Sequence, residues 1–385
     1  MLEERYAMPT YKRAPVEFVR GAGARLWDAE GNEYLDFFAG LSVHNAGHCH
    51  PRITEAIQKQ AGTLVGTSNL YYLEPALRLC ERLSEASLGG RVFLGNSGAE
   101  ANECAIKVAR RHAHERGIAD PEIVVLDGAF HGRTIATLTA SPKIARDDLF
   151  GPLPSGFRVA PRDDAGGLRT AVGERTAAVI IEPIQGEAGV YPIADDMLVA
   201  AREACDANGA LLVLDEIQTG MGRTGSLWAY EQGPVRPDVL TTAKALGGGL
   251  PAGACVIAPE LGDGFAAGDH GSTFGGGAVV GAAALAALDV LGDGDLLRRV
   301  RELGECFADG LRSLDEIEEV RGRGLIVGAA LAEGLDAPEV AARALDAGLV
   351  INVPAPGTLR FLPPLVIGEP EVDEALGLLG KALAG

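Results

Sequence analysis

The chain has 385 residues, 47% of them hydrophobic, a length that calls for two or three domains around a large core. Thirty-four Lys and Arg stand against 53 Asp and Glu, a formal net charge of -19 at pH 7, which argues against nucleic acid or an anionic membrane as partner. Six scattered cysteines without a Cys-x-x-Cys pair, and a polar start (MLEERYAMPTYKR) unlike a signal peptide, fit a cytoplasmic protein with reduced thiols.

The chain begins with an arm and a short hairpin, ARLWDAEGNEYLDF, turning at Glu30, Gly31 and Asn32. The loop HNAGHCHP follows, with His44, His48, Cys49 and His50. Their irregular spacing and the lack of a second cluster favour loop packing over a metal site, so no metal is expected. From Arg91 to Ile257 apolar runs alternate with helical patterns. RVFLG, EIVVLD, AAVIIE, ALLVLDE, DVLTTA and ACVIA read as buried strands; GAEANECAIKVARRHAHE and ADDMLVAAREACDAN read as helices. This alternation predicts an α/β fold with a mainly parallel sheet covered on both faces.

In such a sheet ligands bind at the carboxyl ends of the strands. After RVFLG, Ser97, Gly98 and Ala99 would present a hydroxyl and free amides at a helix N-terminus, which suits a phosphate; Ser97 with Glu100 is equally an ordinary capping box. No GxxxxGK[ST] loop indicates a nucleoside triphosphate. After EIVVLD, Phe130 could stack on a flat ring and Arg133 clamp a carboxylate; a core phenylalanine and a surface arginine are the plainer alternative. Asp215 ends ALLVLD, where it could pair with a protonated ring nitrogen or simply cap the next segment. Lys244 follows DVLTT and precedes Gly247-Gly248-Gly249. A strand-end lysine beside backbone without side chains suits a Schiff-base amine approached by a flat ligand; a surface lysine before a flexible loop is the alternative.

The run AVVGAAALAALDVLG is too short and too alanine-rich to span a membrane and is interrupted by Asp289, so it reads as a buried helix. Long helices and the short strands LIVGAAL, LVINV and LRFLP follow, with Arg360 on the last, and suggest a smaller α+β domain. The expected division is 1–60 for the arm and hairpin packed with the small domain, 61–285 for the large domain and 286–385 for the small one.

The motifs NSGAEANE, FHGR, EPIQGE, DEIQTGMGRTG, AKALGGGLP and HGSTFGG, in this order, resemble the class III, pyridoxal-phosphate-dependent aminotransferases, and within them the acetylornithine aminotransferases. The resemblance runs from GHCHP to LRFLPPLVI. It implies a fold-type I transferase with a large domain of the seven-stranded type and pyridoxal 5'-phosphate as cofactor. It casts Lys244 as the lysine that carries the cofactor, Asp215 as the partner of its ring nitrogen and Gln218 as a ligand of its ring hydroxyl. Ser97, Gly98 and Ala99 fall in the phosphate-binding turn, and Phe130 stacks on the ring. Thr273 would reach the phosphate from a neighbouring subunit, which implies a homodimer with shared active sites. Arg133 and Ser272 would contact substrate; Arg360 would take the α-carboxylate of glutamate, and Glu187 would pair with Arg360 when that carboxylate is absent.

The sequence departs from the family pattern at Gly277, where asparagine is usual, and in GEAG for GEGG. Leu41 stands where ornithine aminotransferases carry a tyrosine that meets a free α-amine, and so favours an acylated one. The expected reaction moves the distal amine of N2-acetylornithine to 2-oxoglutarate, giving glutamate. Succinylornithine, ornithine, 4-aminobutyrate or a carrier-bound lysine precursor are alternative amine donors, and a net charge of -19 disfavours an acidic carrier. An aminomutase of the same fold has less use for Arg360 and Glu187, and a non-catalytic binding protein has no use for Lys244 and Asp215.

Overall fold

The computed structural model describes residues 2–385. The six predicted strands join one sheet of seven, in the order Val92–Gly95, Gly253–Ile257, Val239–Thr242, Leu211–Asp215, Thr176–Ile181, Glu122–Leu126 and Phe157–Ala160. Gly253–Ile257 is antiparallel to both neighbours and every other pairing is parallel. The central strands are buried along their whole length, because helices cover both faces. Alternate side chains serve opposite covers. Ile123 and Val125 share a core with Ala105 and Ala109 of the Gly98–Glu115 helix. Val124 and Leu126 share one with Ala201 and Cys205 of the Asp195–Asn208 helix. The seventh strand, Phe157–Ala160, is not among the six apolar runs read from the sequence; it is a short edge strand with exposed positions.

The N-terminal hairpin forms as expected, Arg25–Asp28 against Glu33–Asp36. Asp28 holds its turn by accepting from the Asn32 backbone N–H and side-chain amide, each at 2.8 Å, and from the Tyr34 hydroxyl at 2.9 Å. The hairpin's partner lies near the other end of the chain: Glu33–Asp36 pairs in parallel with Leu349–Val350. The stretch LVINV therefore splits. Leu349–Val350 joins the hairpin, and Asn352–Ala355 pairs with Thr358–Phe361 in a separate sheet with Ile317–Arg323 and Ile326–Leu331. Phe37, Phe307 and Phe361 pack through that junction, tilted in the first pair and edge to face in the second, with ring centroids 5.3 and 5.1 Å apart. Each such ring stabilises by about 1.5–3 kcal/mol on full burial.

The alanine-rich run forms the helix Ala278–Leu291, packed on Pro51–Ala61 and Glu74–Glu85, so the expected 285/286 boundary falls inside one continuous helix. Among the described residues no helix is long and apolar enough to cross a membrane.

Candidate active site

Five strand ends converge on one cavity of about 480 Å³. The Val239–Thr242 strand stops, the chain turns at Ala243, and Lys244 takes φ +47 at the head of a one-turn 3-10 helix. A left-handed lysine costs on the order of 1–3 kcal/mol, and such strain is tolerated where a side chain must be aimed. Gly248 and Gly249 follow with φ +59 and +104; a Cβ at Gly248 would stand 2.8 Å from Ile53, and one at Gly249 3.3 Å from the His44 ring. Lys244 lines the cavity and has no hydrogen bond or ion pair among the described residues. Burial pushes its amine below the ordinary lysine range, and the Arg360 cation pushes the same way against Glu187, Asp215 and Glu182.

Asp215 ends its strand 3% exposed. Its Oδ2 accepts from Asn102 Nδ2 and His131 Nδ1, both at 2.7 Å, and its Oδ1 from the Ile217 N–H at 3.1 Å. Asn102 is oriented in turn by the His131 carbonyl and the Thr241 hydroxyl. Burial alone would lower the His131 pKa, but the bond to Asp215 and the charges of Asp215 and Glu182 raise it. Glu182, also buried, accepts from the Phe130 N–H at 2.8 Å, and burial pushes its carboxyl up to about 7.

At the far wall the Gly98–Glu115 helix begins. Ser97 caps it, accepting from the Glu100 N–H at 3.2 Å, so its hydroxyl does the capping work that the sequence allowed. The amides of Gly98 and Ala99 have no intrahelical partner at this first turn and line the cavity. Glycines let neighbouring backbone close on the turn: a Cβ at Gly253 would stand 2.2 Å from Ser97 O. Two open amides at the positive end of a helix are an anion site.

Phe130 is half-buried in the wall, and the exposed Arg133 guanidinium lies 5.5 Å from its ring centroid. Opposite, Arg360 on the buried Thr358–Phe361 strand donates from Nη1 to Glu187 Oε1 at 2.7 Å and to Gln218 Oε1 at 3.3 Å, and from Nε to Asn352 Oδ1 at 2.9 Å. Its Nη2 is buried without a partner among the described residues. Burial would raise the Glu187 carboxyl; Arg360 outweighs it and holds it below the ordinary range. Gly186 must lack a side chain, since a Cβ there would stand 1.9 Å from Gln218 Oε1.

Nine of the twelve expected site residues line this cavity; Arg360, Ser272 and Thr273 do not. Arg360 touches it through Glu187 and Gln218. Ser272 accepts from Asn96 Nδ2 at 3.0 Å, one side chain removed from the space. Thr273 is exposed and lines an outer groove instead. Leu41 is also placed differently from expectation. Ala39–Ser42 is a left-handed turn, with φ of 43°, 59°, 65° and 66°, and it is Val43, not Leu41, that lines the cavity. The His44 and His48 rings pack at 4.5 Å and His48 bonds to Asp36 at 2.7 Å.

The class III aminotransferase family profile matches residues 6–383. The chain belongs to the class III aminotransferases. It is 45% identical to the acetylornithine aminotransferase of Caldanaerobacter subterraneus subsp. tengcongensis, over 99% of this chain and 98% of that one. It is likewise 45% identical to that of Methanocaldococcus jannaschii, over 99% and 96%. Among solved structures, an N-acetylornithine aminotransferase from Stenotrophomonas maltophilia superposes with a TM-score of 0.87 at 39% identity, covering 100% of this chain and 98% of that one. An ornithine aminotransferase from Toxoplasma gondii superposes at 0.93 with 36% identity, covering 99% and 93%.

Pyridoxal phosphate, the cofactor of this family, fits the residues present. The unpaired amides of Gly98 and Ala99 suit its phosphate, the unengaged Lys244 amine its carbonyl, and the Asp215 carboxylate a cationic ring nitrogen. Sequence reasoning missed Asn102, His131 and Glu182, although all three lie inside motifs it had singled out.

Proposed function

We propose that the protein is a pyridoxal-phosphate-dependent transaminase that moves the distal amine of N2-acetylornithine to 2-oxoglutarate, giving N-acetylglutamate 5-semialdehyde and glutamate. The bound cofactor supplies an electrophilic carbonyl and a ring that takes up the electron pair released when the substrate C–H bond breaks. Lys244 holds the cofactor and, once released from it, takes and returns the proton at the amine-bearing carbon. Its lowered pKa leaves more free amine for that task at neutral pH. Asp215, fixed by Asn102 and His131, presents a charge to the ring nitrogen. Phe130 supplies the ring's flat neighbour, and Gln218 stands beside it in the wall.

The observation that carries the substrate assignment is the Arg360–Glu187 pair at 2.7 Å. A distal amine brings no carboxylate beside it, and Glu187 then neutralises Arg360. Glutamate brings one, and Arg360 exchanges Glu187 for it. Arg133, exposed beside Phe130 and without an ion pair among the described residues, takes the remaining carboxylate of either substrate. The apolar Val43 suits an acylated α-amine, which needs no acidic or hydroxyl partner. Relatives named for acetylornithine support the same reading.

The reading includes a homodimer with shared sites. Thr273 stands outside its own cavity, next to the exposed Phe274, and Tyr72 nearby in the fold is 93% exposed. Six unpaired thiols suit a cytoplasmic setting. The test is kcat/KM for N-acetylornithine against succinylornithine, free ornithine and 4-aminobutyrate. A preference for acylated ornithine is expected. Equal values, or a preference for ornithine or 4-aminobutyrate, would overturn the substrate while leaving the class III aminotransferase assignment intact. Arg360→Ala should cost the glutamate half-reaction about 2–5 kcal/mol and the acylated-amine half much less.

A further inference from the structure

Arg223 lies in the loop GMGRTG that follows Gln218 and is 0% exposed. Among the described residues no carboxylate bonds to it. Its Nε donates to Ser42 Oγ at 2.9 Å, its Nη1 to the Leu325 carbonyl at 2.8 Å and the Pro363 carbonyl at 2.6 Å, and its Nη2 to Asn45 Oδ1. The Leu325 N–H returns a bond to the Arg223 carbonyl at 3.1 Å. Burial pushes the guanidinium down to about 9, with Asp36 resisting, so it remains a cation at neutral pH. A buried cation with no carboxylate hydrogen-bonded to it is a costly element, and it calls for a reason beyond packing.

The acceptors supply one. Ser42 closes the left-handed turn and is followed by Val43, which lines the cavity. Pro363 is three residues beyond Arg360 on the same segment. Leu325 leads into the Ile326–Leu331 strand, which pairs with the Arg360 strand in register Gly328 to Arg360. Asn45 ties back to the loop of Arg223 itself, donating to the Met221 carbonyl at 3.0 Å. One guanidinium thus joins the loop after Gln218, the turn that carries Val43, the backbone just before the Ile326–Leu331 strand and the backbone just after the Arg360 strand.

We propose that Arg223 is a positioning residue for carboxylate recognition: it fixes the segment bearing Arg360 against the turn bearing Val43, and so sets the substrate end of the cavity. The inference rests on the reading of Arg360 as the carboxylate-binding arginine. Among the described residues no hydrogen bond of Arg223 goes to Lys244, Asp215, Gly98 or Ala99, so its main effect is expected on substrate binding.

The test uses Arg223→Gln, Arg223→Lys and Ser42→Ala in the cofactor-saturated enzyme. KM for glutamate and for 2-oxoglutarate, kcat, the cofactor absorbance spectrum and Tm are measured for each. Misplacing a binding group by about 1 Å costs up to roughly a hundredfold. Arg223→Gln is therefore expected to raise both KM values roughly 10- to 100-fold, with kcat within about threefold of wild type and an unchanged spectrum. Arg223→Lys should fall between wild type and Arg223→Gln. Ser42→Ala, which removes one acceptor and keeps the cation, should move KM in the same direction by less, and it decides the matter should Arg223→Gln fail to fold. Unchanged KM values with only a lower Tm would make Arg223 merely structural and overturn the proposal. A loss of kcat with an altered spectrum would overturn it too, by assigning Arg223 to the cofactor. Arg360→Ala run in parallel separates the two readings: if it leaves KM for 2-oxoglutarate unchanged, the carboxylate role of Arg360 fails on its own evidence and this inference with it.

Discussion

Replacing Asp215 by asparagine keeps the shape of the side chain and removes its charge. At 3% exposure the carboxylate takes hydrogen bonds from Asn102 and His131 on one oxygen, both at 2.7 Å, and from the Ile217 N–H on the other at 3.1 Å. An asparagine can satisfy one of these sides with its carbonyl, and its amide must then oppose a donor on the other. Two effects follow. The ring nitrogen of the cofactor loses a buried charged partner, worth about 2–5 kcal/mol, or roughly 30-fold to several-thousand-fold in the rate of either half-reaction. A donor left unsatisfied costs about 1–3 kcal/mol of stability. The His131 pKa, which the bond and charge of Asp215 raise against burial, should fall in the variant. Cofactor affinity should fall less than rate, because the amides of Gly98 and Ala99 and the Lys244 amine are untouched. The assay is stopped-flow absorbance of the glutamate half-reaction with the cofactor-saturated variant. A rate within about threefold of wild type would refute the reasoning and make Asp215 a structural cap.

Glu182→Gln should alter the pH dependence of stability. The folded protein holds a proton on Glu182 up to about pH 7, where an unfolded glutamate has already released it. The group's contribution is therefore full below the unfolded pKa of about 4.3 and is lost as pH rises through the folded value, a change of up to about 3 kcal/mol. The variant should gain on wild type between pH 5 and pH 8 in denaturant titrations; parallel curves would refute the assignment. Lys244→Ala and Thr273→Ala subunits, each inactive alone, should recover activity when co-expressed, since a mixed dimer has one site with both native residues. No recovery, or a fully active monomer, would refute the shared site.

The large sheet was legible in the sequence because its strands are buried on both faces, so LLVLD and TAAVII are unbroken apolar runs. Phe157–Ala160 was missed because an edge strand of four residues, half of them exposed, gives no such run. LVINV read as one strand because a register that splits between two sheets leaves no mark on composition. Lys244 and Asp215 were legible from their places at strand ends. Asn102, His131 and Glu182 were not, since a polar residue in a helix or beside a strand announces neither its burial nor its partner. Leu41 was misplaced because four consecutive left-handed residues rotate the chain by an amount no pattern rule anticipates. Thr273 stands outside its own cavity, in an outer groove, and composition and spacing gave no sign of that placement.

The central claim is that Lys244 carries the cofactor. Borohydride reduction of the cofactor-loaded protein followed by peptide mapping tests it directly. A pyridoxyl group on the peptide containing Thr242, Ala243 and Lys244 is predicted, together with unlabelled, inactive Lys244→Ala that still binds the cofactor reversibly. A pyridoxyl group on any other lysine, or turnover in Lys244→Ala, would contradict the account.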